Sequence, residues 1–395
     1  MKWFKTKNRI QYRSQAMQNY PISCLLAALL FLSASCERKA ERNLISGKVS
    51  IEEKSISLAL GPQSTYQSNC MMFSDAFEKP TLAILNSKAN RLEFYDIEAE
   101  LIYDSIQFQY SGPNATGRIY GFEILNRDSI LVLSQKRLLY LVNRNGGIVS
   151  QYDYLNVDAG IGILYRFSAT NQPLIRSGQG IIGYKGTVGD WSAMTQQKLN
   201  AFDIEMYIDL KTGETELVEM KYPRDYLNGG PKILETSRVF DGRRFVYSFS
   251  MDPHLYVTED FESIRKVSAR SKFEVPFESL PPNIDVLSYQ RYQLNNFFYR
   301  SIIYDQYRQL FYRICDHPID NVDLDESLLL QNRPSQSIIV LDKNLEIVKE
   351  IELPRNKYKA DNNFVSPEGL FISENSELNP SLNENIWNFC RIEVE

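Results

Sequence analysis

The stretch RLEFYDIEAELIYDSI, residues 91–106, places an apolar strand, a polar turn that starts at Asp96 and a second strand in direct succession. Aromatic and β-branched residues such as those before the turn favour β-strands. An aspartate at the end of the first strand can accept hydrogen bonds from the backbone of its own turn. The stretch therefore predicts a β-hairpin.

The same hairpin pattern occurs four more times along the chain. It is found in LLYLVNRNGGIVSQYDY (138–154), EMYIDLKTGETELVEMKY (205–222), HLYVTEDFESIRKV (254–267) and SIIVLDKNLEIVKEIEL (337–353), with turns at Asn143, Asp209, Thr258 and Asp342. The successive turns are 47, 66, 49 and 84 residues apart. A four-stranded propeller blade takes about 40 to 50 residues, with insertions in its loops. The spacing therefore favours an all-β chain that forms a β-propeller.

Further strands are expected before these hairpins, at 81–85, 120–124, 129–134, 180–184, 244–249, 297–304 and 309–315. Together they make five blades. A sixth blade combines strands at 369–373 and 385–394 with an N-terminal strand at 56–60, which would leave no free sheet edge. We therefore expect a six-bladed propeller in a single domain, residues 47–395. The longest interval between turns leaves room for a seventh blade, and one long or two tandem β-sandwiches are the competing architecture.

The N-terminal residues have the parts of a secretory signal peptide. Residues 1–21 carry five basic and no acidic residues, residues 22–32 are apolar, and Ser33, Ala34 and Ser35 are small. A basic head, a short apolar run and small residues before the cleavage site are typical of such a peptide. The 11-residue run spans about 16 Å as a helix, which is about half the hydrocarbon thickness of a membrane. We expect residues 1–35 to be removed.

Cys36 directly follows the small residues, as in the bacterial lipobox, although Ser33 stands where leucine is usual. We expect Cys36 to be lipidated and residues 36–46 to form a tether to the membrane, because two or more acyl chains anchor far better than one. Cleavage that leaves Cys36 unmodified is the alternative. Glu37 favours the outer membrane, on either its periplasmic face or the cell surface.

Charge and cysteine content limit the classes of partner. Removal of residues 1–35 takes away five of the 44 Lys and Arg and none of the 49 acidic residues, which leaves a net charge of −10. Such a chain is a poor partner for nucleic acid. Cys70, Cys315 and Cys390 are odd in number, so at least one is expected to be free. We expect a monomer that binds a protein or a glycan.

No catalytic, metal-binding or cofactor motif is recognisable. His254 and His317 are the only histidines, and no GxSxG motif accompanies them. The acidic run DHPIDNVDLDE, residues 316–326, lacks the glycine and the acid spacing of a calcium-binding EF-hand. Aromatic side chains in loops can stack on sugars or peptides. Trp191, with Tyr165 and Arg166, is therefore the candidate ligand-binding set.

Three segments resemble an uncharacterised family of Bacteroidetes-type lipoproteins. They are GPNATGRIYGFEI (112–124), RDSILVLSQKRLLYLVNRNGG (127–147) and SPEGLFIS (366–373), which accompany the lipobox-like start. The resemblance implies a six-bladed propeller related to the NHL and TolB types and an outer-membrane lipoprotein. It implies no activity.

Three functions are compatible with these features. The first is a membrane-anchored propeller that binds a ligand or a protein partner, because a propeller offers a concave face and the sequence shows no paired nucleophile and base. The second is a propeller enzyme, such as a glycan lyase or a glycosidase that uses two carboxylates. The third is a structural component of an envelope complex.

Overall fold

β-Strands make up most of the regular structure in this protein. The structure, a computed structural model, describes residues 49–68, 70–154, 163–164, 172–186, 190–319 and 325–394. In these ranges only short helices interrupt the strands. The prediction of an all-β chain is therefore confirmed.

The strands of the described ranges are, in chain order, β1 (Val49–Ala59), β2 (Met71–Ser74), β3 (Thr81–Asn86), β4 (Arg91–Asp96), β5 (Leu101–Gln107), β6 (Ile119–Asn126), β7 (Ser129–Ser134), β8 (Leu138–Val142), β9 (Ile148–Asp153), β10 (Ile163–Leu164), β11 (Ile175–Ser177), β12 (Gly180–Gly186), β13 (Glu205–Asp209), β14 (Thr215–Val218), β15 (Thr236–Phe240), β16 (Phe245–Phe249), β17 (His254–Thr258), β18 (Arg265–Ser268), β19 (Phe298–Asp305), β20 (Leu310–Asp316), β21 (Gln336–Leu341), β22 (Ile347–Leu353), β23 (Lys359–Ser366), β24 (Gly369–Ser373) and β25 (Ile386–Val394). The helices are α1 (Gln196–Asn200), α2 (Val286–Asn295) and α3 (Glu326–Gln331), with a short 3-10 helix at Trp191–Ala193.

Hydrogen bonding joins these strands into five sheets with a propeller-like arrangement. Three sheets have four strands each, in the orders β6-β7-β8-β9, β15-β16-β17-β18 and β19-β20-β21-β22. A fourth has the order β10-β12-β13-β14, with β11 also paired to β12. The fifth has eight strands in the order β2-β3-β4-β5-β1-β25-β24-β23. The backbone pairing therefore gives five sheets rather than the six separate blades that the sequence predicts.

The eight-stranded sheet brings the two ends of the described chain together. β1 pairs antiparallel with β25 from Val49 opposite Val394 to Ala59 opposite Ile386. The predicted pairing of an N-terminal strand with the C-terminal strands is thus confirmed. β1 and β5 meet at one parallel bridge, between Ala59 and Leu101.

The five predicted hairpin turns form as the sequence indicates. In each turn the side-chain oxygen of the predicted residue accepts hydrogen bonds from two backbone N–H groups of the turn. These residues are Asp96, Asn143, Asp209, Thr258 and Asp342. Gly146 and Gly213 have φ of 78°, which glycine adopts without strain. These turns fix the register of the outer strands.

Six clusters of buried apolar side chains fill the spaces between groups of strands. Each cluster combines residues from at least two groups. One pair of members from each is Phe94 with Phe122, Leu133 with Ile181, Tyr184 with Tyr247, Val257 with Phe311, Ile338 with Ile372, and Leu82 with Phe389. The burial of this apolar surface is the main stabilising term for the arrangement.

The long connectors share one face of the molecule. Because neighbouring strands are antiparallel, turns between the first and second strands of a sheet lie on the opposite face from connectors between its second and third strands. Connectors from one sheet to the next lie on the same face as the connectors between second and third strands. The helices α1, α2 and α3 all lie in such connectors. This is the face on which β6, β15, β19 and β23 begin. None of the helices in the described ranges has the length and apolar composition needed to cross a membrane.

Candidate functional site

Two cavities lie along the first strands of the sheets. The cavity that we call polar has a volume of about 430 Å³ and lies where β6, β15, β19 and β23 begin. The apolar cavity has a volume of about 520 Å³ and lies toward the ends of the same strands. The polar cavity is lined by Gln67, Ser68, Cys70, Ser87, Tyr120, Gln172, Glu235, Thr236, Arg300, Leu330, Gln331, Lys359 and Asp361. The apolar cavity is lined mainly by Met, Phe, Leu, Ile and Val side chains of these strands and β2.

Irregular strand pairing coincides with the polar cavity on three strands. Tyr120 is the extra residue where β6 pairs with β7, and Arg300 is the extra residue where β19 pairs with β20. The pairing of β23 with β24 is interrupted between Lys359 and Asn363, which leaves Asp361 outside the ladder. A β-bulge changes the direction of a side chain and releases its backbone from the ladder. The bulges therefore explain how polar side chains of otherwise apolar strands come to line this cavity.

Arg300 is the central cation of the polar cavity. Its Nε and Nη2 atoms lie 2.9 and 2.6 Å from Oδ2 of Asp316. Its Nε is 3.8 Å from Oδ1 of Asp361, and its Nη1 is 3.9 Å from Oε2 of Glu235. A single guanidinium thus faces three carboxylates. It forms a hydrogen-bonded pair with Asp316 and only longer contacts with the other two.

Asp316 is fully buried and is held by residues near β21. Nε2 of Gln336 donates a hydrogen bond of 2.8 Å to its Oδ1, and Nε of Arg333 lies 3.6 Å from its Oδ2. Burial opposes ionisation of Asp316, but Arg300 and Arg333 keep the pKa of this carboxyl below its ordinary value. Arg333 also donates to the carbonyl oxygen of Leu294 at 3.1 Å. Asp316 therefore holds Arg300 in place.

Three charged side chains of the polar cavity have no side-chain hydrogen bonds among the described residues. They are Glu235, Lys359 and Asp361. Neither carboxylate accepts a hydrogen bond from the described part of the chain, and the ammonium group of Lys359 donates none to it. The side chains of Glu235 and Asp361 are 34% and 26% exposed, and Lys359 is 8% exposed. Oε1 of Gln172 is likewise buried without a partner among the described residues. These groups remain available to a polar ligand.

The surroundings of the three groups disfavour their charged forms. Burial raises the pKa of Glu235 and of Asp361 above their ordinary values, although Arg300 opposes both shifts. Burial lowers the pKa of Lys359, although Asp361 opposes that shift. Perturbed pKa values of this kind are frequent at functional sites. A ligand that supplied hydrogen bonds to these groups would relieve their cost of desolvation.

The structure locates one of the four residues that the sequence singles out. Trp191 lies in the short 3-10 helix, is half-buried and packs against the apolar cluster that contains Tyr184 and Tyr247. Trp191 is not among the residues that line the polar or the apolar cavity. Tyr165, Arg166 and Cys36 lie outside the described residues. The predicted ligand-binding role of Trp191, Tyr165 and Arg166 stays a prediction.

The two histidines have structural partners. Nδ1 of His254 lies 2.7 Å from Oδ1 of Asp252, at the start of β17. Nε2 of His317 lies 2.9 Å from Oγ of Ser337, whose hydroxyl donates a hydrogen bond of 2.7 Å to Oε1 of Glu350. Because the serine proton is directed at Glu350, His317 is not placed to accept it, as a base that activates a serine would.

The acidic run does not converge on a metal site in the described ranges. Asp316 binds Arg300, whereas Asp325 accepts the backbone N–H of Ser327 at the start of α3. Glu326 forms an ion pair of 2.7 Å with Arg291. The described residues include no group of three or more side chains suited to bind a metal ion.

The cysteines confirm the prediction that at least one is free. Cys70, Cys315 and Cys390 are all buried and form no disulfide in the described chain. Burial raises the pKa of Cys390 to about 12. The thiol of Cys390 is therefore protonated at neutral pH.

The residues of the polar cavity are not among those that the sequence patterns single out. Lys359 and Asp361 are two residues apart in a strand and belong to the segment KAD at its start. Arg300 similarly interrupts the apolar segment FFYRSII. A charged residue within an apolar strand indicates a candidate site residue, but the sequence does not reveal that these strands meet at one cavity.

The family of this chain is known from its sequence. The sequence profile of a domain of unknown function, DUF4221, matches residues 46–352. The chain belongs to the DUF4221 family. A solved DUF4221 protein from Bacteroides vulgatus is similar in structure, with a TM-score of 0.79 at 24% identity over 88% of this chain and 98% of that one. This DUF4221 chain therefore shares the fold of that protein.

Two other solved structures are more distant from this DUF4221 chain. A protein of Bacteroides fragilis, whose name describes a candidate exported protein, has a TM-score of 0.49 at 12% identity over 88% of this chain and 95% of that one. Hsv2 of Kluyveromyces lactis has a TM-score of 0.37 at 12% identity over 79% of this chain and 72% of that one. No curated protein matches the sequence at a significant level.

Proposed function

We propose that this DUF4221 protein is a lipid-anchored, six-bladed propeller whose polar cavity binds a small polar ligand. The blade count treats the eight-stranded sheet as two blades. One blade consists of β2, β3, β4 and β5, and the other consists of β23, β24, β25 and β1. Two observations support this division. These two groups meet at a single parallel bridge, and one of the six apolar clusters lies between them. Each of the other five clusters likewise includes residues from two successive groups of strands.

The observation that carries ligand binding is that Glu235, Lys359 and Asp361 surround one cavity and have no side-chain hydrogen-bond partners in the described part of the chain. Lys359 and Oδ1 of Asp361 are buried, and buried polar groups that lack partners destabilise a folded protein, so they are rare outside functional sites. The cavity volume of about 430 Å³ lies within the range of small-molecule sites, about 300–1,000 Å³. The ligand that fits best has hydrogen-bond donors for the two carboxylates and an acceptor for Lys359. Sugars, sugar acids and amino acids have this chemistry.

Isothermal titration calorimetry of the full chain in detergent tests this proposal. The panel contains monosaccharides, disaccharides, uronic acids and amino acids. We expect at least one binder, and we expect Asp361→Asn and Lys359→Met to weaken it at least about tenfold, because a hydrogen bond to a charged group is worth about 1.5–3 kcal/mol. Glu216→Gln, at an exposed position on β14, is the matched control. A binder whose affinity is the same in all these variants would contradict the proposal.

The carboxylate pair supports hydrolysis as a second candidate function. Glu235 and Asp361 both approach Arg300 and both have a raised pKa, as a general acid requires. Two carboxylates are sufficient for glycoside hydrolysis. Turnover of a glycoside panel that falls at least about a hundredfold in Glu235→Gln and Asp361→Asn would establish this function, since general acid–base catalysis contributes about 10²–10⁴-fold. Binding without turnover favours the first proposal.

Lipidation of Cys36 and an outer-membrane location complete the proposal. They are supported by the basic head, the apolar run and the small residues that precede Cys36. An anchor at residue 36 would be separated from β1 by residues 37–48.

A further inference from the structure

The apolar cavity contains one carboxyl group that has no partner among the residues that the structure describes. Glu123 lies on β6 and is 9% exposed. Its carboxyl group makes no hydrogen bond and no ion pair with the described part of the chain. The same cavity is lined by Phe73, Ile124, Val239 and Phe364. A carboxyl group thus lines an apolar space of about 520 Å³ without a hydrogen bond or an ion pair from the described residues.

Two other polar side chains of this cavity, Arg176 and Asn363, already donate hydrogen bonds to backbone carbonyl groups. The guanidinium of Arg176 donates to the carbonyl oxygens of Ile124, at 2.9 Å, and Leu125. Nδ2 of Asn363 donates to the carbonyl oxygen of Ala360 at 2.7 Å. Arg176 is exposed. Glu123 is therefore the anionic group that this cavity offers to a ligand.

We propose that the apolar cavity is a second ligand site, which binds a molecule with an apolar body and one cationic nitrogen. The ammonium group would pair with the carboxylate of Glu123, and the apolar body would replace water against the surrounding side chains. The aromatic ring of Phe73 can also attract a cation through its face. The methionines Met71 and Met72 can adapt to apolar groups of different shape.

The electrostatics of Glu123 predict how binding depends on pH. Burial raises the pKa of Glu123 to about 8, although the charges of Arg176 on β11 and Arg238 on β15 oppose the shift. A cation binds the ionised carboxylate, so binding releases a proton below this pH. The affinity for an ammonium ligand should rise by about tenfold per pH unit from pH 6 towards pH 8 and then level off.

Titration of the full chain with phenethylamine, which is an ammonium ion over this pH range, tests the site. 2-Phenylethanol is the neutral probe of the same shape. We expect Glu123→Gln to weaken phenethylamine binding at least tenfold and to leave 2-phenylethanol binding unchanged. Met72→Trp, which narrows the cavity without a change at Glu123, should weaken both probes. Asp361→Asn, in the polar cavity, should weaken neither, which separates this site from the proposed polar site.

Three results would overturn the inference. They are equal affinity for the two probes, phenethylamine binding that Glu123→Gln leaves unchanged, and an affinity for phenethylamine that does not change between pH 6 and pH 8. The far-ultraviolet circular dichroism of each variant confirms that it is folded, and Glu216→Gln serves as the matched control because it removes an exposed carboxylate from an outer strand.

Discussion

Nη2 of Arg300 lies 2.6 Å from Oδ2 of Asp316, so the bulged residue of β19 is paired with the last residue of β20. Asp316 is fully buried, whereas the side chain of Arg300 is 22% exposed. The carboxylate thus lies beneath the cavity, and the guanidinium lies at its surface. This pair sets the position of the central cation of the polar cavity.

Removal of Asp316 should destabilise the protein. Asp316→Ala leaves the charges of Arg300 and Arg333 without their shared buried partner, which typically costs about 3–5 kcal/mol. We expect the free energy of unfolding in urea to fall by about 3 kcal/mol or more. The control Glu216→Gln should change it by less than about 0.5 kcal/mol, as for an ordinary surface substitution. A fall of less than 1 kcal/mol for Asp316→Ala would show that the pair does not hold the site.

The fully buried pair of Arg238 and Glu205 should behave non-additively. Nη2 of Arg238 donates to Oε2 of Glu205 at 3.1 Å, and the hydroxyl of Tyr247 donates to Oε1 at 3.0 Å. Glu205→Leu alone leaves a buried guanidinium without its anion and should cost about 3–5 kcal/mol. The double variant Glu205→Leu with Arg238→Met should recover most of this loss, because apolar residues can replace a buried ion pair. Urea denaturation of the four proteins measures the coupling, and additive losses would contradict it.

Glu123 should make the protein less stable as the pH rises. The folded protein keeps the proton of Glu123 up to about pH 8, whereas the unfolded chain releases it near the ordinary glutamate value. The folded state therefore binds more protons in this window, and stability should fall by up to about 1.4 kcal/mol per pH unit between pH 5 and pH 8. Glu123→Gln should show a correspondingly weaker pH dependence. Parallel stability curves for the two proteins would show that Glu123 is ionised at neutral pH.

Cys36 should determine where the protein is found. Without Cys36 no acyl chain can be attached, so Cys36→Ala should move the protein from the membrane fraction to the soluble fraction after cell lysis. Cys70→Ala removes a buried cysteine of the folded domain and is the matched control, which should stay with the membranes. Sedimentation of the Cys36→Ala protein with membranes would exclude this residue as the anchor.

Sequence predicted the features that depend on neighbouring residues. The turn at Asp96 forms because its carboxylate accepts hydrogen bonds from Glu98 and Ala99, two and three residues further on. The two strands of each hairpin are also close in the sequence, so their pairing depends on neighbouring residues. The pairing of β1 with β25 follows from the expectation that strands from both ends of the chain close the ring and leave no free sheet edge.

The polar cavity could not be predicted in the same way. Tyr120, Arg300 and Asp361 come from three strands far apart in the chain, and each is displaced by a bulge that depends on the register of its neighbouring strand. The prediction from loop aromatics gave Trp191 instead, which packs against an apolar cluster. Aromatic side chains in a connector favour burial as readily as ligand contact.

A crystal structure of the full chain with the best-binding molecule of the sugar and amino-acid panel tests the central claim most directly. We predict that electron density for the molecule lies in the polar cavity, with its polar atoms within hydrogen-bond distance of Glu235, Lys359 and Asp361. Density at another place, together with an empty polar cavity, would contradict the claim.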